Sequence, residues 1–250
     1  MVTGIRHRRF YAYNPVNPGA NFPTTGSHNL FFYLSIAGMK AQDIVNTNGR
    51  TISAGGVTLT LNAENTLPTG LVKINLTGPK EGHPGSFIPS TFYLHDKNND
   101  PLYSFRLERW YVTKKGGAGG YQNAVAFCDN FNGGGYRMTK VLDFTNARRG
   151  NWQNGIADLF YKRKISYKMN GYWMGGLFSE WGRMTQIYYT DSDWEYFLSG
   201  DPSWGDMRGY YWTSDKKDEI AQYVVETNIG IVGAWLASER PDYRVACVSP

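Results

Sequence analysis

The sequence predicts a β-rich protein of two domains, on three observations. Aromatic residues make up 16% of the 250 residues and charged residues only 19%, with 29 glycines. That balance suits short strands and tight turns rather than long helices or disorder. Short alternating runs separated by turn residues recur through the first hundred positions. Tryptophan is segregated: all eight follow residue 103, whereas His7, His28, His83 and His95 precede it. The segregation implies two separate cores, in residues 1–103 and 104–250, and the length is comfortable for two.

In the first part, strand-like runs at 29–36, 57–62, 71–76 and 87–94 are separated by Asn17-Pro18-Gly19, Pro68-Thr69-Gly70 and the 82–85 segment. About 100 residues of this pattern describe a β-sandwich. The DKNNDP turn at 96–101 precedes SFRLERWYV at 104–112, which alternates like a strand entering new material. Residues 121–130 suit a helix with Ala124, Val125 and Cys128 on one side, stopped by Gly133-Gly134-Gly135, and 136–141 suit a strand. A second helix is expected at 156–164 and a loop-rich middle at 165–209. Strands are expected at 184–189, 209–213, 222–226, 230–237 and 243–248. Loops of that length commonly carry binding residues.

A net charge of +5 divides into 8 Lys/Arg against 5 Asp/Glu before residue 104 and 18 against 16 after it. Neither half has the basic excess of a nucleic-acid binder, and short runs such as Arg6-His7-Arg8-Arg9 and Lys162-Arg163-Lys164 read as solvated faces. No stretch reaches the roughly 18–20 apolar residues a membrane-spanning helix needs, and the N-terminus lacks the apolar core of a secretory signal. The two cysteines, Cys128 and Cys247, fit one long-range disulfide or two buried thiols, with no CxxC pair to suggest metal or redox chemistry. Of the two the disulfide is the expected one, and in the chain-entropy account it contributes on the order of 4–5 kcal/mol for so long a loop. An oxidised chain without its own export signal is expected to be a piece of a longer exported protein, its first Met an added start.

The order strand SFRLERWYV, helix YQNAVAFC, glycine turn, strand YRMTKV, helix, looped middle, YYWTSD and last strand RVACV resembles the C-type lectin-like fold. The hallmark disulfide of that fold joins its first helix to its last strand, which implies a Cys128–Cys247 pair. The segment Ala20-Asn21-Phe22-Pro23-Thr24-Thr25-Gly26 resembles the FPTTG opening of Ig-like modules in the intimin and invasin family of outer-membrane adhesins. In that family an Ig-like module feeds through a short Tyr/Phe–Trp strand into a lectin-like cap, much as Tyr103-Ser104-Phe105 leads to Trp110-Tyr111 here. The resemblance implies an Ig-like β-sandwich at 1–103 and an α+β C-type lectin-like domain at 104–250. It further implies the surface-exposed, receptor-binding tip of a Gram-negative adhesin. Integrins or a bacterially delivered receptor are the implied partners, and a secreted host protein such as an immunoglobulin is equally compatible.

Sugar-binding lectins of this type hold calcium with EPN or QPD and a following WND. Here Asp201-Pro202-Ser203 lacks the carboxamide and Trp204-Gly205-Asp206 lacks the central Asn, so the expectation is attachment without calcium, metal or cofactor. No catalytic residues are assigned. The second part has no histidine for a Cys/His or Ser/His pair, and the four histidines of the first show no HExxH spacing. Glu180, Asp191, Asp193 and Glu195 are the right types for glycosidase acids, but sequence spacing cannot set a carboxyl separation. Gly116-Gly117-Ala118-Gly119-Gly120 lacks the GxxxxGK[ST] pattern and reads as a connector, and Asn75-Leu76-Thr77 as strand rather than a glycosylation site. The Trp-, Tyr- and Arg-rich stretch 180–212 is the expected docking surface, since such side chains dominate protein interfaces. Arg183, Asp193, Trp194, Trp204 and Arg208 are its candidate partner contacts, with Trp194 and Trp204 expected to be partly exposed. Trp173, Trp181, Trp212 and Trp235 are expected to be mostly structural. Two rival readings stay open: a calcium-independent lectin stacking glycans on Trp194 or Trp204, and a phage or retroelement tropism protein.

Overall fold

The structure is a computed structural model that describes residues 13–64, 70–184, 188–194, 209–240 and 242–250. It is β-rich. The first elements are β1 (Thr25–Ser27), β2 (Phe31–Leu34), α1 (Ala41–Asn48), β3 (Thr51–Ala54), β4 (Val57–Glu64), β5 (Leu71–Thr77), β6 (Ser90–His95) and β7 (Pro101–Leu107). An antiparallel sheet runs β2-β5-β4-β3, and β6 and β7 form a separate two-stranded pair. Alternation decides what each strand buries: Val72, Ile74 and Leu76 of β5 turn inward with Leu59 and Leu61 of β4, as do Phe92 and Leu94 of β6. The unexpected α1 carries Ala41, Ile44 and Val45 at helical spacing and buries all three. At its end Asn48 exchanges two hydrogen bonds with the backbone of His95, 2.7 and 2.8 Å, which fixes the helix to β6.

The later elements are β8 (Arg109–Thr113), α2 (Tyr121–Asp129), β9 (Arg137–Met138), α3 (Val141–Phe144), β10 (Ala147–Arg148), β11 (Ala157–Asp158), β12 (Tyr167–Met169), β13 (Tyr172–Met174), α4 (Gly176–Trp181), β14 (Tyr210–Lys216), β15 (Ala221–Glu226), β16 (Val232–Leu236) and β17 (Ala246–Val248). An antiparallel sheet runs β14-β15-β16, and a mixed one runs β1-β8-β17-β9. The helix expected at 121–130 is α2, tied to β17 by the Cys128–Cys247 disulfide with Cα atoms 5.4 Å apart.

Three of the expected elements need correction. No helix forms over 156–164. The backbone carbonyl of Asn146 accepts from the N–H groups of Ile156 and Ala157, its side chain holds Lys162, and β11 pairs with β10, so long-range pairing overrides the local apolar spacing. The strand expected over 136–141 is confined to Arg137–Met138, because the Asp143 carboxylate accepts from the Lys140 N–H at 2.7 Å and starts α3. The loop-rich middle contains the β12–β13 hairpin and α4. Of the strand expected at 184–189, residues 185–187 lie outside the described residues, and Tyr188 begins a turn.

The two cores expected on either side of residue 103 are one continuous cluster of buried side chains, and residue 103 lies inside β7. The FPTTGS segment shows why. Phe22 packs on Phe32 of β2 and on Trp181 of α4, with ring centroids 5.4 and 4.8 Å away. Strand β1 pairs in parallel with β8 and so joins the sheet that contains β17. The Thr25 carbonyl accepts from Trp181 Nε1 at 2.9 Å. A Cβ at Gly26 would lie 2.8 Å from the Trp110 ring, so only glycine fits there. Trp110, from the second part, stacks on Phe87 and donates to the Pro79 carbonyl at 2.8 Å, deep among first-part residues.

Candidate binding surface

Glu180 is the buried polar centre of this junction. One carboxylate accepts from the backbone N–H and hydroxyl of Thr24, of Thr25 and of Ser166; the two threonine hydroxyls and the Ser166 hydroxyl lie 2.9, 2.9 and 3.2 Å away. Burial pushes the Glu180 carboxyl above its ordinary value, against the pull of the Thr24 and Thr25 donors. Its lone pairs are committed to holding FPTTG on α4, which is a structural task rather than acid–base chemistry in a cleft.

A second buried carboxylate, Asp143, anchors the other side of β8. Arg109, itself buried, donates to it at 2.9 Å, and Arg137 at 2.6 Å. Burial pushes the Asp143 carboxyl up. The Arg137 hydrogen bond and charge, then the Arg109 charge and the Lys140 N–H, outweigh that and hold it below the ordinary carboxylate range. The Arg109 guanidinium lies 4.6 Å from the Trp173 ring centroid, which seats strand β13 on β8.

The sequence candidates separate into different environments. Arg183 is exposed, 5.9 Å from the Tyr188 ring. Asp193 is buried and pairs with Lys115 at 3.2 Å. Trp194, expected to be partly exposed, is 0% exposed and sits against Tyr211, Phe178 and Phe144, with centroids 5.1, 5.7 and 6.4 Å away. Its flanking acids and turn residues suggest surface, but the chain turns the ring inward. Trp204 and Arg208, with Glu195 and the Asp201-Pro202-Ser203 turn, lie outside the described residues. Trp181 and Trp212 are buried as expected. Trp235 is 36% exposed beneath the Arg240 guanidinium, and Trp173 is half-buried.

The segment leading to Trp194 also spans the junction. Tyr189 packs against Phe31 of β2 and donates to the Trp181 carbonyl at 3.0 Å, and Asn29 Nδ2 donates to the Asp191 carbonyl at 2.8 Å. Among the described residues, no group of three or more His, Cys, Asp or Glu side chains is disposed to hold a metal ion, and no helix is long and apolar enough to cross a membrane.

Sequence reasoning passed over the β12–β13 hairpin. Tyr167 pairs with Met174, Lys168 with Trp173 and Met169 with Tyr172, around Asn170 and Gly171 with φ of 52° and 82°. Two successive left-handed residues make the turn that matches strand twist, and Asn-Gly is its strongest sequence signal. At the tip, Met169 is 43% and Tyr172 73% exposed.

The chain matches no family model, no curated protein and no solved structure.

Proposed function

We propose that this chain is the receptor-binding tip of an intimin- or invasin-type surface adhesin: an Ig-like module built into a C-type lectin-like cap that attaches to a host protein without calcium or catalysis. The observation that carries the reading is the α2–β17 disulfide, an early helix tied to the last strand as the lectin-like resemblance implies. FPTTG adds support, since Phe22, Thr24, Thr25 and Gly26 each have a partner in the cap. Exposed aromatic and basic side chains on loops of the second part suit binding of a protein face.

The test is saturable binding of the purified, oxidised chain to cultured epithelial cells and to immobilised serum proteins. Binding is expected to survive EDTA and glycosidase treatment of the target and to be lost when cells are treated with protease. Absence of saturable binding overturns the adhesin reading. Loss with EDTA or glycosidase moves the function to glycan recognition.

A further inference from the structure

We propose that the β12–β13 hairpin is a docking finger that inserts its tip into an apolar recess on an acidic protein surface, an inference that names the partner chemistry for the adhesin reading and rests on it. The tip presents Met169 and Tyr172 as a cross-strand pair, Tyr172 largely in solvent and Met169 partly so. A tyrosine exposed to 73% on a strand is the chain's most solvent-accessible large ring among the described residues, and it contributes almost nothing to its own fold. Tyrosine and methionine are residue types enriched where proteins meet, tyrosine for stiff amphipathic area and methionine for adaptable packing.

Charge sets the kind of partner. From residue 159 to residue 179 the chain carries Lys162, Arg163, Lys164 and Lys168 and no Asp or Glu. Lys164 Nζ lies 3.9 Å from the Tyr167 ring centroid and Lys168 Nζ 5.1 Å from that of Trp173, so ring faces hold both ammonium groups on the hairpin without neutralising them. The neighbouring acids are already engaged. Asp158 pairs with Arg148, Asp143 with Arg109 and Arg137, and Glu180 is buried against hydroxyl and amide donors. A positive collar around an apolar tip complements a negative rim around an apolar recess, which steers encounter and fixes orientation.

The root is built to be stiff. Trp173 rests on Arg109, Arg109 is ion-paired with Asp143, and Met174 is buried, while the Asn-Gly turn fixes the tip. A finger ordered before contact loses little conformational freedom on docking.

The experiment pans a phage-displayed random dodecapeptide library on the oxidised chain and compares wild type with Tyr172→Ala and with Lys164→Glu/Lys168→Glu. Selected peptides are expected to be rich in Asp and Glu with one or two apolar residues, to weaken as salt rises, and to bind each variant about tenfold or more weakly. Both variants are expected to stay within a few degrees of the wild-type thermal midpoint, because Tyr172 and Lys168 are exposed and Lys164 is only half-buried. Neutral or basic peptides, or unchanged binding by the variants, overturn the proposal. So does binding of heparin or of phosphatidylserine vesicles that the variants lose while peptide binding stays the same. Epithelial-cell binding separates the two readings. Variants that bind cells like wild type remove the finger and leave the adhesin. A wild type that binds acidic peptides but no host cell or serum protein removes the adhesin and leaves the finger.

Discussion

Trp194 and Arg183 lie on the same stretch of chain yet differ in what they touch. Trp194 is enclosed by Phe144, Phe178 and Tyr211, so Trp194→Ala is expected to cost about 3–5 kcal/mol in denaturant unfolding. Arg183→Ala is expected to stay within about 0.5 kcal/mol of wild type in the same measurement. Acid stability is set in part by Asp143. Its carboxyl is held below the unfolded value, so its contribution is fully present above that value, near pH 4, and is lost as pH falls through the lower folded value. Glu180 has the opposite sign. Its raised carboxyl favours the fold at low pH and loses that contribution as pH rises. Asp143→Asn is therefore expected to lower the thermal midpoint at neutral pH and to flatten its decline toward acid. An acid decline as steep as wild type would remove Asp143 from that role. None of this was readable beforehand, because Glu180 meets Thr24 across more than half the chain and Asp143 gains its guanidinium partners only when β8 and β9 share a sheet.

At the scale of elements, period and punctuation made most of the strands legible. The expected runs at 57–62, 71–76, 209–213, 222–226 and 230–237 correspond to β4, β5, β14, β15 and β16, where alternation or turn residues mark the ends. The misses have physical causes. The stretch 156–164 has apolar spacing that suits a helix, but Asn146 offers its backbone and side chain better long-range partners. The eight-residue α1 is too short to stand out, although Ala41, Ile44 and Val45 have the right spacing and Gly49 follows. Asn170-Gly171 is a strong hairpin signal that a long loop assignment concealed. The Cys128–Cys247 link joins α2 to β17, and Cys247→Ser is expected to lower unfolding free energy by about 2–5 kcal/mol. Peptide mapping without reductant should recover the joined peptides, and two free thiols in secreted material would contradict the link.

Across the whole molecule, the FPTTG segment makes the expected boundary a place of shared burial. A fragment covering 104–250 would lose β1 from its sheet, the Phe22 contact with Trp181 and the Thr24 and Thr25 donors to Glu180. Each buried acceptor left unpaired costs about 1–3 kcal/mol. That fragment is expected to be unfolded or aggregated when expressed alone, and limited proteolysis of the intact chain should spare the residues around 103. A soluble, cooperatively melting 104–250 fragment would restore two independent domains. The composition contrast was real, with tryptophan confined to the second part, but Trp110 is spent on the core of the first.

The disulfide also decides how this chain carries a load. Drawn out by its two ends, the polypeptide can lengthen only outside the loop that Cys128 and Cys247 close. The span between them, a separation of 119 residues and about 40 nm of contour, is withheld from extension. The β12–β13 finger lies within that protected length. A load applied at the two ends therefore draws out only residues outside that loop, and the hairpin is not lengthened by it.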